Sequence, residues 1–183
     1  MDVFLPKKTP APFVLFFHGG LWYSGARGEV DEVCQQVLRL SNDSVGCATA
    51  DYHYSQDLGG GCDSTSLPTY QKQAAEVRAA FAHLVARPDV DIARVLVGGH
   101  SAGGHLAAWL SLNWNDAKRC THPAAFAGVE GIYNVSMWDA YDKARWNSTF
   151  HCPTRQAFGD PVTSAAAWQD GSPSVNALSE DPL

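Results

Sequence analysis

The chain has 183 residues, of which 45% are hydrophobic and 17% charged, and its net charge at pH 7 is −6. This length and composition are typical of one globular domain and exclude a disordered or fibrous chain. The negative charge argues against a nucleic-acid partner, which would require a basic surface. The longest apolar run, residues 13–17, is far too short to span a membrane.

Apolar segments alternate with amphipathic segments along the first 133 residues. Runs rich in β-branched and aromatic side chains predict strands at residues 13–18, 45–52, 94–99 and 125–133. Apolar residues at helical spacing predict helices between them, at residues 29–40, 68–87 and 102–113. A loop rich in glycine and serine, residues 55–66, precedes the second helix. This alternation predicts an α/β fold, a three-layer α/β/α sandwich with a mainly parallel sheet.

The chain changes character after residue 134. Aromatic residues continue, but no further segment has the pattern of a strand, so the predicted sheet stops early. Residues 1–6 resemble the end of an earlier strand. We therefore expect residues 1–183 to form a single, partial α/β domain that lacks its last strands.

A serine flanked by glycines lies where the third predicted strand meets the following helix. The pattern G-x-S-x-G is formed by Gly99, His100, Ser101, Ala102 and Gly103. In this pattern the serine occupies a strained turn, and the glycines remove side chains that would collide with strand and helix. We predict that Ser101 is a nucleophile and that the Ala102 amide faces the developing oxyanion. A glycine-rich packing turn is the structural alternative.

Two other glycine motifs fit this junction less well. A dinucleotide-binding turn requires G-x-G-x-x-G, and this register lacks the first pair of glycines. A phosphate-binding loop requires a lysine at the position that His105 occupies. A nucleotide-binding protein is therefore disfavoured.

A second glycine motif follows the first predicted strand. It is formed by His18, Gly19, Gly20, Leu21 and Trp22. Glycines here let the main chain approach a substrate carbonyl, so we assign Gly20 and Leu21 to an oxyanion hole, with Gly19 allowing the bend. We expect His18 to fix this loop by bonding to backbone rather than to act in catalysis, because it precedes the serine in the chain.

Together these motifs resemble those of the α/β-hydrolase esterase/lipase superfamily, in which HGG-x-W is followed by GHSAGGH. Within this superfamily, the chain most resembles the branch that contains kynurenine formamidases and related carboxylesterases. The stretches that resemble this branch are "ADYHYS" at 50–55, "GIYNV" at 131–135 and "DGSP" at 170–173. The resemblance implies hydrolysis of a small carboxylic ester or an aryl formamide through an acyl-serine intermediate, with no metal and no cofactor.

A serine nucleophile requires a histidine base and a carboxylate, which in this fold follow it in the chain. We expect His105 to pack within the helix that begins at the serine, and His122 to be a loop residue at the opposite edge of the sheet. His151 follows two carboxylates, Asp139 and Asp142, and is the candidate base within this sequence.

The resemblance places the acid and the base on strands beyond "DGSP". We therefore expect this sequence to be a fragment of a longer protein. The alternative to an active hydrolase is a catalytically silent fragment or pseudoenzyme that lacks the acid and histidine of the triad.

The five cysteines are odd in number and lack C-x-x-C spacing. This pattern predicts free thiols in a reducing compartment. The first residues show no secretory signal, so a cytoplasmic location is expected, and the N-x-S/T sequences at Asn42, Asn134 and Asn147 carry little weight. The expected partner is a small acyl substrate, and the sequence does not indicate an oligomeric state.

Overall fold

The computed structural model describes residues 1–57, 68–114 and 122–179. Its strands are β1 Asp2–Phe4, β2 Ala11–Phe17, β3 Gly46–Ala50, β4 Val90–His100 and β5 Ala125–Val129. They form one sheet in the order β1-β3-β2-β4-β5, in which β1 is antiparallel to β3 and the other neighbours are parallel. The predicted mainly parallel α/β sheet is confirmed, and the first residues do form a short strand, β1.

The described residues contain seven α-helices. They are α1 Asp31–Leu40, α2 Tyr70–Val85, α3 Ala102–Asn113, α4 Val135–Trp146, α5 His151–Phe158, α6 Ala165–Asp170 and α7 Pro173–Ser179. The first three connect parallel strands, and right-handed crossovers place α1 on one face of the sheet and α2 and α3 on the other. The packing of α1 on β3, and of α2 on α3, agrees with this arrangement. None of these helices combines the length and apolar character needed to cross a bilayer.

The core forms where α2 covers the sheet. Its inner face is apolar at successive helical turns, and the residues of that face are all buried: Tyr70, Ala74, Val77, Phe81 and Leu84. This spacing of three and four residues places them in one stripe along the helix. They pack on the buried residues of the central strands, such as Leu15 and Val97.

β5 is an exposed strand at the edge of the sheet. All of its residues are exposed, and Phe126 and Val129 retain 40% and 50% of their accessible surface. The reason is its position, because β5 is the last strand of the sheet and among the described residues pairs only with β4. The described elements after β5 include no strand, as the sequence predicted, and all of them are helices.

The expectation of free thiols is wrong. Cys34 of α1 and Cys47 of β3 form a buried disulfide, and Cys152 is disulfide-bonded as well. Packing of α1 on β3 brings the Cα atoms of Cys34 and Cys47 to 5.1 Å, within the range for a disulfide, which sequence spacing does not reveal. Cys62 and Cys120, and residues 58–66 of the predicted loop, lie outside the described residues.

Replacing both Cys34 and Cys47 by alanine is expected to lower the free energy of unfolding by about 3 kcal/mol. The bond joins residues 13 apart, and closing a loop of about that size restricts the unfolded chain by this amount. Urea unfolding without reductant measures the difference. The single variant Cys34→Ala, which also lacks the bond, should show the same loss, and an unchanged unfolding midpoint in both variants would contradict the prediction.

Candidate active site

Ser101 lies in a strained turn between β4 and α3. Its backbone has φ 54° and ψ −119°, a conformation that is costly for a residue with a side chain. Its N–H donates to the Val129 carbonyl over 2.8 Å, and its carbonyl accepts from the His105 N–H over 3.0 Å. Ser101 precedes the first residue of α3, yet its side chain does not cap the helix. The hydroxyl is therefore not used to stabilise the local structure.

The glycines on either side of Ser101 permit close backbone contacts. A Cβ built on Gly99 would lie under 3.0 Å from the backbone of Gly103, closer than real Cβ atoms approach. A Cβ on Gly103 would lie equally close to the carbonyl oxygens of Phe17 and His18. The first turn of α3 therefore packs directly against the end of β2.

The loop after β2 meets the Ser101 turn. β2 and β4 are parallel neighbours, with Phe17 opposite Gly99, so their carboxyl ends lie at the same edge of the sheet. A Cβ built on Gly19 would lie 3.2 Å from the Ser101 Cβ and 2.9 Å from His100 Nδ1. The two glycine motifs that the sequence analysis singled out are thus adjacent in the fold.

The loop after β2 has an unusual backbone. Gly20, Leu21 and Trp22 have φ of 112°, 50° and 65°, three successive residues in the left-handed region. The Gly20 carbonyl holds the turn by accepting from the N–H groups of Tyr23 and Ser24, each over 3.1 Å. Leu21 and Trp22 carry side chains in this strained region, which requires support from the surroundings. Trp22 provides part of that support, because its ring is fully buried.

Contacts to the Gly19 carbonyl orient the peptide that follows it. This oxygen lies 2.7 Å from His18 Nδ1 and 3.4 Å from the Tyr52 hydroxyl, which also donates to the His18 carbonyl over 2.9 Å. Burial raises the pKa of Tyr52, so its hydroxyl remains a donor. The C=O and N–H of a trans peptide point in opposite directions, so the Gly20 N–H is directed away from His18 and Tyr52.

Three backbone amides near Ser101 have no acceptor among the described residues. They belong to Gly20, Leu21 and Ala102. The Ala102 N–H is the first of α3, where helical geometry provides no partner and the helix dipole is positive. All three groups that the sequence predicted for an oxyanion hole are therefore free to donate, as judged from the described part of the chain.

His18 is a buried residue of this loop. Its ring stacks on Tyr52, with ring centroids 4.4 Å apart, and Nδ1 contacts the Gly19 carbonyl. Its Nε2 lies 3.8 Å from Asp51, a carboxylate already bonded to Arg27. The contacts of His18 thus fix the loop, as the sequence analysis expected.

The contact of Tyr52 to the Gly19 carbonyl is not predicted by the sequence motifs, in which Tyr52 belongs only to a stretch that resembles the family. The available signal was its position two residues after β3, at the sheet edge where β2 ends.

His105 joins three parts of the chain beneath the site. Its Nδ1 accepts from the Trp22 indole N–H over 3.1 Å, so its Nε2 carries the proton and donates to the Gly171 carbonyl over 2.7 Å. The ring is fully buried, and this burial lowers its pKa to about 4. His105 therefore packs within α3, as expected, and also holds the Trp22 loop and the end of α6 in place.

The lowered pKa of His105 predicts a loss of stability in mild acid. Below pH 6.5 the unfolded chain protonates this histidine, whereas the folded protein does so only near pH 4. Its contribution is complete above pH 6.5 and falls by about 1.4 kcal/mol per pH unit between pH 6.5 and 4. Unfolding free energies of wild type and His105→Gln, measured across this range, should converge as the pH falls. Parallel curves would contradict the assignment.

The other histidines make different contacts. His100 is half exposed and its Nε2 lies 3.3 Å from Glu130. His151 Nδ1 lies 3.0 Å from the Ser148 carbonyl in its own turn, and no hydrogen bond between described residues joins it to Ser101. His122 precedes β5 and is exposed at the amino end of that strand, away from the Ser101 turn.

The carboxylates that precede His151 in the chain do not point to a triad either. Asp142 is buried and accepts from the Phe150 N–H, so it fixes the turn between α4 and α5. Asp139 is partly buried and has no described bond to a histidine. Nor does any group of three histidine, cysteine, aspartate or glutamate side chains in the described ranges have the geometry to hold a metal ion.

A cavity of about 570 Å³ adjoins the Ser101 turn. It begins at Glu130 and Gly131, directly after Val129, whose carbonyl binds the Ser101 N–H. Its remaining walls are largely apolar and aromatic: Ile132, Tyr133, Asn134, Met137, Trp138, Tyr141 and Ser174. The cavity therefore offers an apolar and aromatic surface next to the strand end that binds the Ser101 N–H.

A family model described as BD-FAE matches residues 1–175 of this chain. The matched region contains the loop after β2, the Ser101 turn and the cavity beside it.

Solved structures of bacterial esterases share the fold. Esterase B from Lactobacillus rhamnosis, in a form inhibited by C6-C4 SN3, matches 97% of this chain with a TM-score of 0.72 and 18% sequence identity. Native esterase 2 from Thermogutta terrifontis matches 95% with a TM-score of 0.65 and 19% identity. The same Thermogutta esterase is also known phosphoramylated by tabun. This chain spans only 56% and 59% of the lengths of those two proteins.

Proposed function

The chain belongs to the BD-FAE family of α/β-hydrolase-like esterases, and on this premise we propose that it hydrolyses a small carboxylic ester through an acyl-serine intermediate on Ser101. The observation that carries the proposal is the Ser101 turn. Ser101 has a φ of 54°, and its hydroxyl does not cap the helix. The backbone of Gly19 also lies directly beside it. This serine does not cap its helix, and it lies beside the loop that carries the free amides of Gly20 and Leu21.

The proposed reaction has two halves. In the first, Ser101 Oγ bonds to the acyl carbon, a base takes the hydroxyl proton, and that proton passes to the alcohol oxygen as the ester C–O bond breaks. In the second, water attacks the acyl-enzyme with the same base, which releases the carboxylic acid and restores the serine. Each half passes through an oxyanion on the former carbonyl oxygen.

We assign the stabilisation of this oxyanion to the free amides of Gly20, Leu21 and Ala102. The Ala102 amide adds the positive end of the α3 dipole. The Gly20 amide is held in direction by the contacts of His18 and Tyr52 to the preceding carbonyl. One such donor typically contributes about 3 kcal/mol of transition-state stabilisation.

A catalytically silent chain is the second candidate. The observation that favours it is that, among the described residues, no histidine side chain is hydrogen-bonded to the Ser101 hydroxyl, and the ring of the candidate base His151 contacts its own turn. Without a base, a serine of this kind loses several orders of magnitude in rate, although the oxyanion hole retains a small part.

Covalent labelling distinguishes the two candidates. We expect the purified protein to react with a fluorophosphonate probe at Ser101 and to hydrolyse p-nitrophenyl acetate. Peptide mapping locates the label. A protein that neither takes up the probe nor turns over the ester would support the silent alternative.

The substrate class follows from the cavity beside Ser101. Tyr133, Trp138 and Tyr141 suit an apolar or aromatic group on the ester. The same walls would accept an aryl formamide, the other substrate that the sequence resemblance implies. Parallel assays with p-nitrophenyl acetate and N-formylkynurenine separate an esterase from a formamidase, and we expect the ester to be hydrolysed faster.

We also propose a small-molecule substrate rather than a nucleic acid, which the net charge of −6 supports. The cytoplasmic location expected from the sequence is disfavoured by the disulfide of Cys34 with Cys47 and by the bonded state of Cys152. Disulfides form and persist in oxidising compartments, and such a compartment is the location we propose.

A further inference from the structure

Three of the six asparagines in the chain begin an N-x-S/T sequence. These sequences are Asn42-Asp43-Ser44, Asn134-Val135-Ser136 and Asn147-Ser148-Thr149. This pattern accepts N-linked oligosaccharide in proteins that fold in an oxidising lumen. The sequence alone does not show which of the three asparagines is accessible, whereas the structure distinguishes them by exposure and contacts.

The cysteines supply the first condition. The Cys34–Cys47 disulfide is fully buried between α1 and β3, and Cys152 is also disulfide-bonded. A fold with a buried disulfide matures where thiols are oxidised. N-linked glycosylation takes place in the same kind of environment. The disulfides therefore make the three acceptor sequences candidates for glycosylation.

Asn147 has the geometry of an acceptor on the surface. It ends α4 in the left-handed conformation, with φ 54°, and Ser148 continues the turn with φ 61°. Its side chain is exposed and makes no hydrogen bond to a described residue. The amide nitrogen therefore projects into solvent from the turn between α4 and α5.

Asn42 has a similar environment at the other end of the sheet. It is exposed, has φ 52°, and lies in the turn between α1 and β3. β3 and β4 run in the same direction, so this turn lies at the amino ends of the strands, whereas Ser101 lies at their carboxyl ends. A glycan here would not approach the candidate active site.

Asn134 differs from both. Its side-chain oxygen accepts from the Met137 N–H over 2.9 Å and so caps α4. The residue is partly buried and lines the cavity beside Ser101. A glycan at this position would fill the mouth of that cavity.

We propose that Asn42 and Asn147 carry N-linked oligosaccharides and that Asn134 does not. In the reaction the asparagine Nδ2 bonds to the anomeric carbon of an oligosaccharide, and the bond from that carbon to the oxygen of its lipid-diphosphate carrier breaks. The Nδ2 proton passes to a base of the transferring enzyme, and the lipid diphosphate leaves. Neither asparagine belongs to the candidate active site, so the proposal is independent of the hydrolase activity.

Secretion from a yeast with a cleavable leader tests the proposal. We expect two glycans by mass, both removed by peptide N-glycosidase, which converts Asn42 and Asn147 to aspartate. The variants Asn42→Gln and Asn147→Gln should each lose one glycan, and Asn134→Gln should lose none. A mass that the glycosidase does not change, or loss of a glycan in Asn134→Gln, would overturn it.

A second set of variants controls for folding. Ser44→Ala and Thr149→Ala keep each asparagine but remove the hydroxyl that the acceptor sequence requires, so each should lose the same glycan as the asparagine variant. Peptide mapping without reductant should recover Cys34 linked to Cys47 in the secreted protein. Free thiols at both positions in glycan-free protein would show that the oxidising-compartment premise fails, and with it the proposal.

Discussion

Replacing Ser101 by alanine is expected to reduce ester turnover by about 10⁴-fold or more and to abolish labelling by a fluorophosphonate. The substitution removes the oxygen that forms the acyl-enzyme but leaves the turn in place. The fold should persist, because the Ser101 side chain caps no helix and its turn is held by backbone bonds to Val129 and His105. Initial rates with p-nitrophenyl acetate, measured beside a thermal unfolding curve, check both statements.

A matched serine in the same helix provides the control for this variant. Ser111 lies further along α3, and its hydroxyl donates only to the Ala107 carbonyl of the preceding turn. Ser111→Ala should therefore retain the wild-type rate and the wild-type labelling. If Ser101→Ala kept the activity while the purified protein hydrolysed the ester, another group would have to be the nucleophile.

Replacing Gly103 by alanine is expected to destabilise the protein by about 3 kcal/mol or more. The new Cβ would lie under 3.0 Å from the carbonyl oxygens of Phe17 and His18, which are backbone atoms at the end of a buried strand. Helix propensity favours alanine over glycine by only about 1 kcal/mol, which does not offset such an overlap. A shift of α3 away from β2 would also separate Ser101 from the Gly19 loop, so activity should fall with stability.

Gly28 provides the control for this substitution. A Cβ built there meets nothing within 4 Å. Gly28→Ala should leave the free energy of unfolding within about 0.5 kcal/mol of wild type. Thermal and urea unfolding of the two variants give the comparison, and a Gly103→Ala protein as stable as Gly28→Ala would refute the close packing of α3 on β2.

The elements that were predicted correctly have local causes. The inner stripe of α2, from Tyr70 to Leu84, follows from apolar residues spaced three and four apart. The central strand β2 follows from a short run of aromatic and β-branched residues that ends in glycines. In each case the residues that form the sequence pattern are the residues that become buried, so the pattern predicts the element correctly.

The features that the sequence did not reveal depend on how the elements pack. Cys34 and Cys47 pair because α1 folds back onto β3, and neither residue carries a local sign of its partner. β5 has the composition of a covered strand, yet its exposure depends on its place at the end of the sheet. Sequence spacing does not show that α1 packs on β3 or that β5 lies at the end of the sheet.

The candidate site also has one part that a local pattern predicts and one part that depends on packing. The turn at Ser101 could be recognised in the sequence because a serine between glycines, at the end of a strand and the start of a helix, is a local pattern with a local steric cause. That the Gly19 loop lies beside Ser101 was predicted only from the hydrolase motif, because no local pattern shows that β2 and β4 are neighbours in one sheet.

The second layer of the site is hidden from the sequence for the same reason. The Tyr52 hydroxyl reaches the Gly19 carbonyl from the end of β3. His105 bonds to Trp22, 83 residues earlier in the chain, and to Gly171, 66 residues later. Local side-chain patterns specify which strands, helices and turns form, because steric and hydrophobic preferences act over a few residues. The partners of each loop follow from the order in which the strands pack, because only packing brings distant backbone groups within hydrogen-bonding distance.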